Sequence, residues 1–230
     1  AKVYHPDDQL APMYEMKAFL DNSFERLGSV PTSIGNTAEE KQDIKAFMEE
    51  MFTKTHNGTI AHPPVHDSGD LTTVGYACEV MKWFKPALTV VNMSGVDGCH
   101  SSFTGYLAAM HRADHAVGHV WDFIQNQIPE MAGNTVIIAI PECGRNGEPN
   151  AIQDQNDWYS FDHSDSNALR VFGMMAGANV PSGLSIGSEG NRVGIVTDVV
   201  PTIAEILGVK NEVMGAGFLS PGTQSLFDRI

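Results

Sequence analysis

The sequence predicts an α/β fold, with helices covering both faces of a largely buried sheet. Three observations carry this prediction. Residues 87–93 and 134–140 are short, continuous apolar runs rich in β-branched side chains, the composition of strands buried on both faces. The segments around them show apolar positions at helical spacing, and alternation of strand and helix implies a layered α/β sheet. Finally, the first two runs end directly in polar clusters of metal-binding residue types, and open α/β sheets place their chemistry at strand ends.

Taken in order, residues 10–27 carry Leu10, Met13, Met16, Phe19, Leu20, Phe24 and Leu27 at helical spacing, with Gly28 as a stop. Thr37 followed by Glu39 and Glu40 forms the signature of a capping box, opening a helix through Ile44, Phe47, Met48 and Met51. Residues 54–70, rich in His, Pro, Gly and Asp, form a loop. A helix is expected over 73–84, ended by Pro86, and the first strand follows at 87–93.

A long helix is predicted over 104–127, with an apolar stripe of Leu107, Met110, Ala113, Val117, Val120, Trp121 and Ile124. The second strand lies at 134–140. Residues 141–167 are a long polar loop, a length that in compact domains usually accompanies function. Residues 169–176 supply a third strand. Residues 198–207 read as a helix with Asp198 as N-cap, Pro201 in its first turns and Gly208 as C-cap. The expected organisation is a helical and loop segment, 1–85, packed on a core, 86–230, within a single domain.

Composition narrows the function. The chain has 230 residues and a formal charge of -14, which excludes duplex nucleic acid as a partner because phosphate backbones require a basic stripe. The same charge suits metal cations. Cys78, Cys99 and Cys143 are odd in number and contain no C-x-x-C pair, so no disulfide framework is indicated, while a single bridge stays open. No apolar run reaches the length of about 20 residues that a membrane span requires.

Three places carry candidate chemistry. Asp97 and His100 lie three residues apart on a glycine-containing loop, and one ion can take a carboxylate oxygen and an imidazole nitrogen from them. The same residues also fit a helix-capping Asp beside a surface His. Glu142 and Cys143 leave the second strand together, where a charge is costly unless paired or ligated. A solvated carboxylate beside an inert thiol fits as well. His163 lies among Asp154, Asp157, Asp162 and Asp165, acids able to fix an imidazole tautomer, or simply the neighbours of an exposed loop histidine. His111, His115 and His119 recur every four residues on one helix without an accompanying Glu and read as a solvated face. His56, His62 and His66 belong to the Pro/Gly-rich loop.

In order, these pieces resemble the C-terminal half of the alkaline phosphatase superfamily, which includes phosphatases, phosphodiesterases, phosphoglycerate mutases and sulfatases. The resemblance covers about residues 86–228. It rests on Asp97 and His100 after a strand, Asp114 within the following helix, and Glu142-Cys143-Gly144 where the family has Asp-His-Gly. His163 follows, then the closing segment Asp198-Val199-Val200-Pro201-Thr202 through Leu207-Gly208, and Gly222-Thr223-Gln224-Ser225-Leu226. The resemblance implies an alkaline phosphatase-like α/β/α three-layer sandwich, incomplete at its N-terminal part. It implies a metal-dependent hydrolase of phosphate or sulfate esters with two divalent ions, zinc first, with calcium, magnesium or manganese as alternatives. Asp97, His100 and His163 would hold one ion, and Glu142 and Cys143 would contribute to the second. Arg145 and Asn146 would contact a substrate oxygen. The Ser or Thr nucleophile has no candidate before residue 86, so the chain is expected to be a fragment with little turnover, or a divergent member. The family also suggests a periplasmic or secreted setting. The competing expectation is a non-catalytic module derived from this fold that binds a metal or a partner.

Overall fold

Helix formation in the first part of the chain follows local rules. The computed structural model describes residues 37–63, 69–188 and 190–229, and the expected helix over 10–27 lies outside them. Contacts divide the chain into two units at the Lys85/Pro86 junction. In the first unit, α1 spans Ala38–His56 and α2 spans Gly69–Phe84. Both halves of the capping box form at Thr37: its hydroxyl accepts from the Glu40 N–H, and the Glu40 carboxylate accepts from the Thr37 N–H at 2.7 Å. Such a cap stabilises a helix by about 1 kcal/mol. α2 begins one turn earlier than expected.

α1 and α2 run antiparallel. Phe47 sets its ring edge-on to Trp83 and Phe84 at 5.6 and 5.0 Å, Trp83 donates to Asp43, and Lys54 pairs with Glu79 at 2.7 Å. Leu71, Val74, Cys78 and Met81 are buried along α2, and Phe47 and Met51 along α1. A Cβ at Gly75 would stand 2.9 Å from Ile60 and 3.1 Å from the Ala61 carbonyl, so this glycine admits the 57–63 segment against α2. Burial pushes the Cys78 thiol up to about 12, helped by Glu79, which leaves it inert.

The second unit is mixed and broadly α/β. Its elements are a 3₁₀ turn at Gly95–His100, α3 at Phe103–Gln127, α4 at Pro129–Ala132, β1 at Val136–Ala139, β2 at Met174–Gly177, α5 at Val199–Ile206 and α6 at Lys210–Gly215. Among the described residues the sheet has two strands. β1 and β2 pair antiparallel, with Val136 opposite Gly177 and Ala139 opposite Met174.

The sheet departs from expectation in two ways. Residues 87–93 form no strand; Leu88 is 51% and Val90 81% exposed. β propensity reflects packing against neighbours on a pleated surface more than an intrinsic backbone preference, and here that packing is missing. The expected layered sheet also becomes an antiparallel pair, and residues 140–173 between its strands contain no α-helix.

The stripe on α3 is corrected as well. Ala109, Ala116, Phe123 and Ile124 are the buried positions, whereas Leu107, Met110 and Trp121 are exposed. Of the expected stripe only Ile124 is fully buried. The small side chains at 109 and 116 permit close approach, which residue hydrophobicity alone does not reveal. Ser102 caps the helix, which starts at Phe103, one residue before the expected start, by accepting from the Gly105 N–H.

The C-terminal part closes on Asp198, whose side chain is fully buried. Asp198 occupies the N-cap position of α5 but makes no side-chain cap there. Its carboxylate accepts instead from the N–H groups of Ile195 and Gln224 and from the Arg229 guanidinium. The Thr202 hydroxyl donates to the Asp198 carbonyl at 2.6 Å and accepts from the Leu226 N–H at 2.8 Å. Thr197 and Thr223 share a further hydroxyl contact. The closing segment and the 222–226 segment thus bind each other directly.

Burial alone would raise the Asp198 carboxyl, but Arg229 and the two backbone donors outweigh it and hold it below the usual carboxylate range. Its stabilisation is therefore present above the unfolded value of about 4 and is lost as pH falls through the lower folded value. Arg229→Ala, which leaves this charge buried and unpaired, is expected to destabilise the chain by about 3 kcal/mol in denaturant titration. Thermal melting of the wild type should fall more steeply below pH 4 than that of Asp198→Asn; parallel slopes would remove Asp198 from the account.

Candidate metal centre

Asp97 and His100 lie on the 3₁₀ turn Gly95–His100, where side chains at i and i+3 eclipse. Their three-residue spacing is thereby converted into one shared side: Asp97 Oδ1 is 3.2 Å from His100 Nε2. The long loop after β1 brings the third group. The Phe161 N–H donates to the Cys99 carbonyl at 3.0 Å, and Asn150 Nδ2 donates to the His100 carbonyl at 3.1 Å. His163 follows and sets its ring edge-on to His100, with centroids 4.7 Å apart. One ligand atom from each of Asp97, His100 and His163 lies within 4.8 Å of the others.

The donor set fits a divalent ion. One carboxylate and two imidazoles are ligands that zinc accepts, and Asp97 and His163 are exposed, so further positions open to water. His100 Nδ1 lies 2.8 Å from Asp162 Oδ1. A proton on Nδ1 satisfies that contact and leaves the Nε2 lone pair facing Asp97 and His163, the arrangement by which outer carboxylates orient metal-ligating histidines. The His100 contact holds the Asp162 carboxyl below its usual range, with a second donor from Asn150.

Arg145 enters the same space. Its Nη2 donates to the Val96 carbonyl at 2.9 Å and lies 3.5 Å from Asp97, while Nη1 lies 3.5 Å from His100 Nε2. The guanidinium also sits 5.8 Å from the Tyr106 ring centre. Asn146 holds the loop: its Oδ1 accepts from the N–H groups of Ser164 and Asp165 and its Nδ2 donates to the Ser164 hydroxyl. Glu142 and Cys143 are not part of the three-residue group. Burial raises the Cys143 thiol, and a contact with Glu142 raises it further. A Cβ at Gly144 would meet the Arg170 carbonyl at 2.5 Å, which explains a glycine after the pair.

The acids around His163 divide their work in a way that spacing does not foretell. Asp162 holds His100, its partner 62 residues away in sequence. Asp154 accepts from the Thr104 N–H at the start of α3, and its carboxyl is lowered to about 2 by the Thr104 hydroxyl and N–H. Asp165 accepts from the N–H groups of Gly147, Asn167 and Ala168. Asp157 occupies a turn with φ 59°. Asn150, which ties both loops, had no signal in the sequence. His56 and His62 lie in the first unit, and His66 lies outside the described residues.

No family model, curated protein or solved structure matches the chain. The described residues include no helix long and apolar enough to cross a membrane.

Removing the supporting carboxylate separates metal binding from folding. Asp162→Asn is expected to weaken zinc binding by about 10- to 100-fold in competition with a chromophoric chelator, with little loss of thermal stability. Unchanged affinity would mean that His100 needs no orienting partner.

Proposed function

We propose that this chain is the metal-binding part of a hydrolase of phosphate or sulfate esters, on an alkaline phosphatase-like α/β/α sandwich. The observation that carries the proposal is the meeting of Asp97, His100 and His163 from two loops joined at Cys99 and Phe161, with Asp162 fixing His100. Their order along the chain, and the closing segment bound around Asp198, support it further.

Zinc suits two imidazoles and a carboxylate better than calcium or magnesium, which favour more oxygen ligands. Bound there, a divalent ion supplies Lewis acidity to an ester oxygen. The protein's own groups have distinct parts. Asp162 keeps the proton of His100 on Nδ1. Arg145, half-enclosed beside the group, offers planar N–H donors suited to phosphate or sulfate oxygens. The hydroxyl nucleophile is not assigned to any residue of this chain.

Cys143 favours a second reading, a metal- or partner-binding module without turnover. It stands where the family has a metal-ligating histidine, and with Glu142 it lies outside the three-residue group.

Elemental analysis tests the proposal first. Zinc near one per chain is expected, lost after a chelator and in each of Asp97→Ala, His100→Ala and His163→Ala. In a chain extended by an N-terminal segment that supplies the hydroxyl nucleophile, hydrolysis of aryl phosphate, phosphodiester or sulfate should then require the metal and fall to background in His163→Ala. In that extended chain, metal without turnover on any of these esters would favour the module, and gain of turnover in Cys143→His would favour the hydrolase.

A further inference from the structure

The histidine row on α3 does not behave as one solvated face. His119 packs its ring 6.1 Å from Phe123, and its Nε2 is buried. His111 and His115 instead face each other at the exposed surface, with Nε2 atoms 3.2 Å apart and ring centroids separated by 4.5 Å at 64°.

We propose that His111 and His115 form a two-imidazole clamp for a borderline transition-metal ion, zinc or nickel in chemistry, independent of the Asp97, His100 and His163 group. Two nitrogens bound at 2.0–2.1 Å around a tetrahedral ion stand about 3.3 Å apart, so the observed separation already matches a shared ion. The i, i+4 spacing places both rings on adjacent turns of one face, and α3 is continuous from Phe103 to Gln127, so the spacing is held by the helix backbone. Only two arrangements satisfy facing Nε2 atoms at this distance. Either one imidazole, neutral or protonated, donates a hydrogen bond to the other, or both lone pairs point at one cation. A proton on both nitrogens would set two donors against each other.

The formal charge of -14 on the whole chain is compatible with a bound cation. Imidazole donors without a carboxylate select zinc, nickel or copper over calcium and magnesium. The remaining coordination positions face solvent and take water. The clamp therefore differs in ligand chemistry from the first group, which contains a carboxylate.

The test uses the tag-free chain carrying Asp97→Ala and His163→Ala, titrated with nickel chloride by calorimetry. One ion per chain is expected. Adding His115→Gln, which preserves the helix, should weaken that binding by at least about tenfold, the lower end of what loss of a ligand's supporting partner costs. Nickel should raise the melting temperature of the double variant and leave that of the triple variant unchanged. Should the double variant fail to fold, the wild-type chain is compared with His111→Gln/His115→Gln, where stoichiometry should fall by one. No bound nickel in the double variant, or equal affinity with and without His115, would overturn the clamp and leave an imidazole–imidazole hydrogen bond. Failure of the first group would lower the wild-type stoichiometry without touching this one.

Discussion

The candidate centre depends on the Asp162 carboxylate. It meets His100 Nδ1 at 2.8 Å and accepts from Asn150 at 3.2 Å, while Asn150 also donates to the His100 carbonyl. One acidic group thereby ties the 3₁₀ turn after residue 94 to the long loop after β1. With the Phe161-to-Cys99 backbone bond it fixes where His163 stands relative to His100. Without that tie, Asp97 and His100 would be two eclipsed side chains on an exposed turn. Arg145, bonded to the Val96 carbonyl and near Asp97, places a positive charge beside the group. It offsets the Asp97 charge.

A second constraint operates at the C-terminal end by different physics. Asp198 is fully buried, so its charge is tolerated only because Arg229 and two backbone N–H groups surround it. The Asp97, His100 and His163 group is open to water, where ion pairs contribute little to stability. Stability and chemistry are thus separated: the buried carboxylate holds the end of the fold together, and the exposed ones remain available to bind.

The site was more legible in the sequence than the sheet. Asp97 and His100 stand out by residue type after an apolar run, His163 by its acidic loop and the family resemblance, and one ligand atom from each lies within 4.8 Å of the others. Glu142 and Cys143, chosen on the same reasoning, stay outside the group. Asp162 was noted as a neighbour of His163, yet it serves His100, because direction along a loop is not encoded by spacing. Asn150 and Arg145 show the same limit. Nothing in the sequence marks Asn150 as the residue joining two loops, and nothing sets the distance from Arg145 to His100. The His111/His115 pair was visible as spacing, but only rotamers decided that two rings face each other while the third turns inward.

By itself, the sequence determined the features that act within a few residues. These are the capping box at Thr37, the helix end before Pro86 and the left-handed Gly208 after α5. Each follows from local sterics or from hydrogen bonds between near neighbours. Tertiary structure alone decided which apolar runs pair and which face of α3 is buried. It left 87–93 unpaired, joined β1 to β2 antiparallel and turned Ala109 and Ala116 inward. Those outcomes depend on which surfaces meet, and the free energy of burial belongs to both surfaces at once.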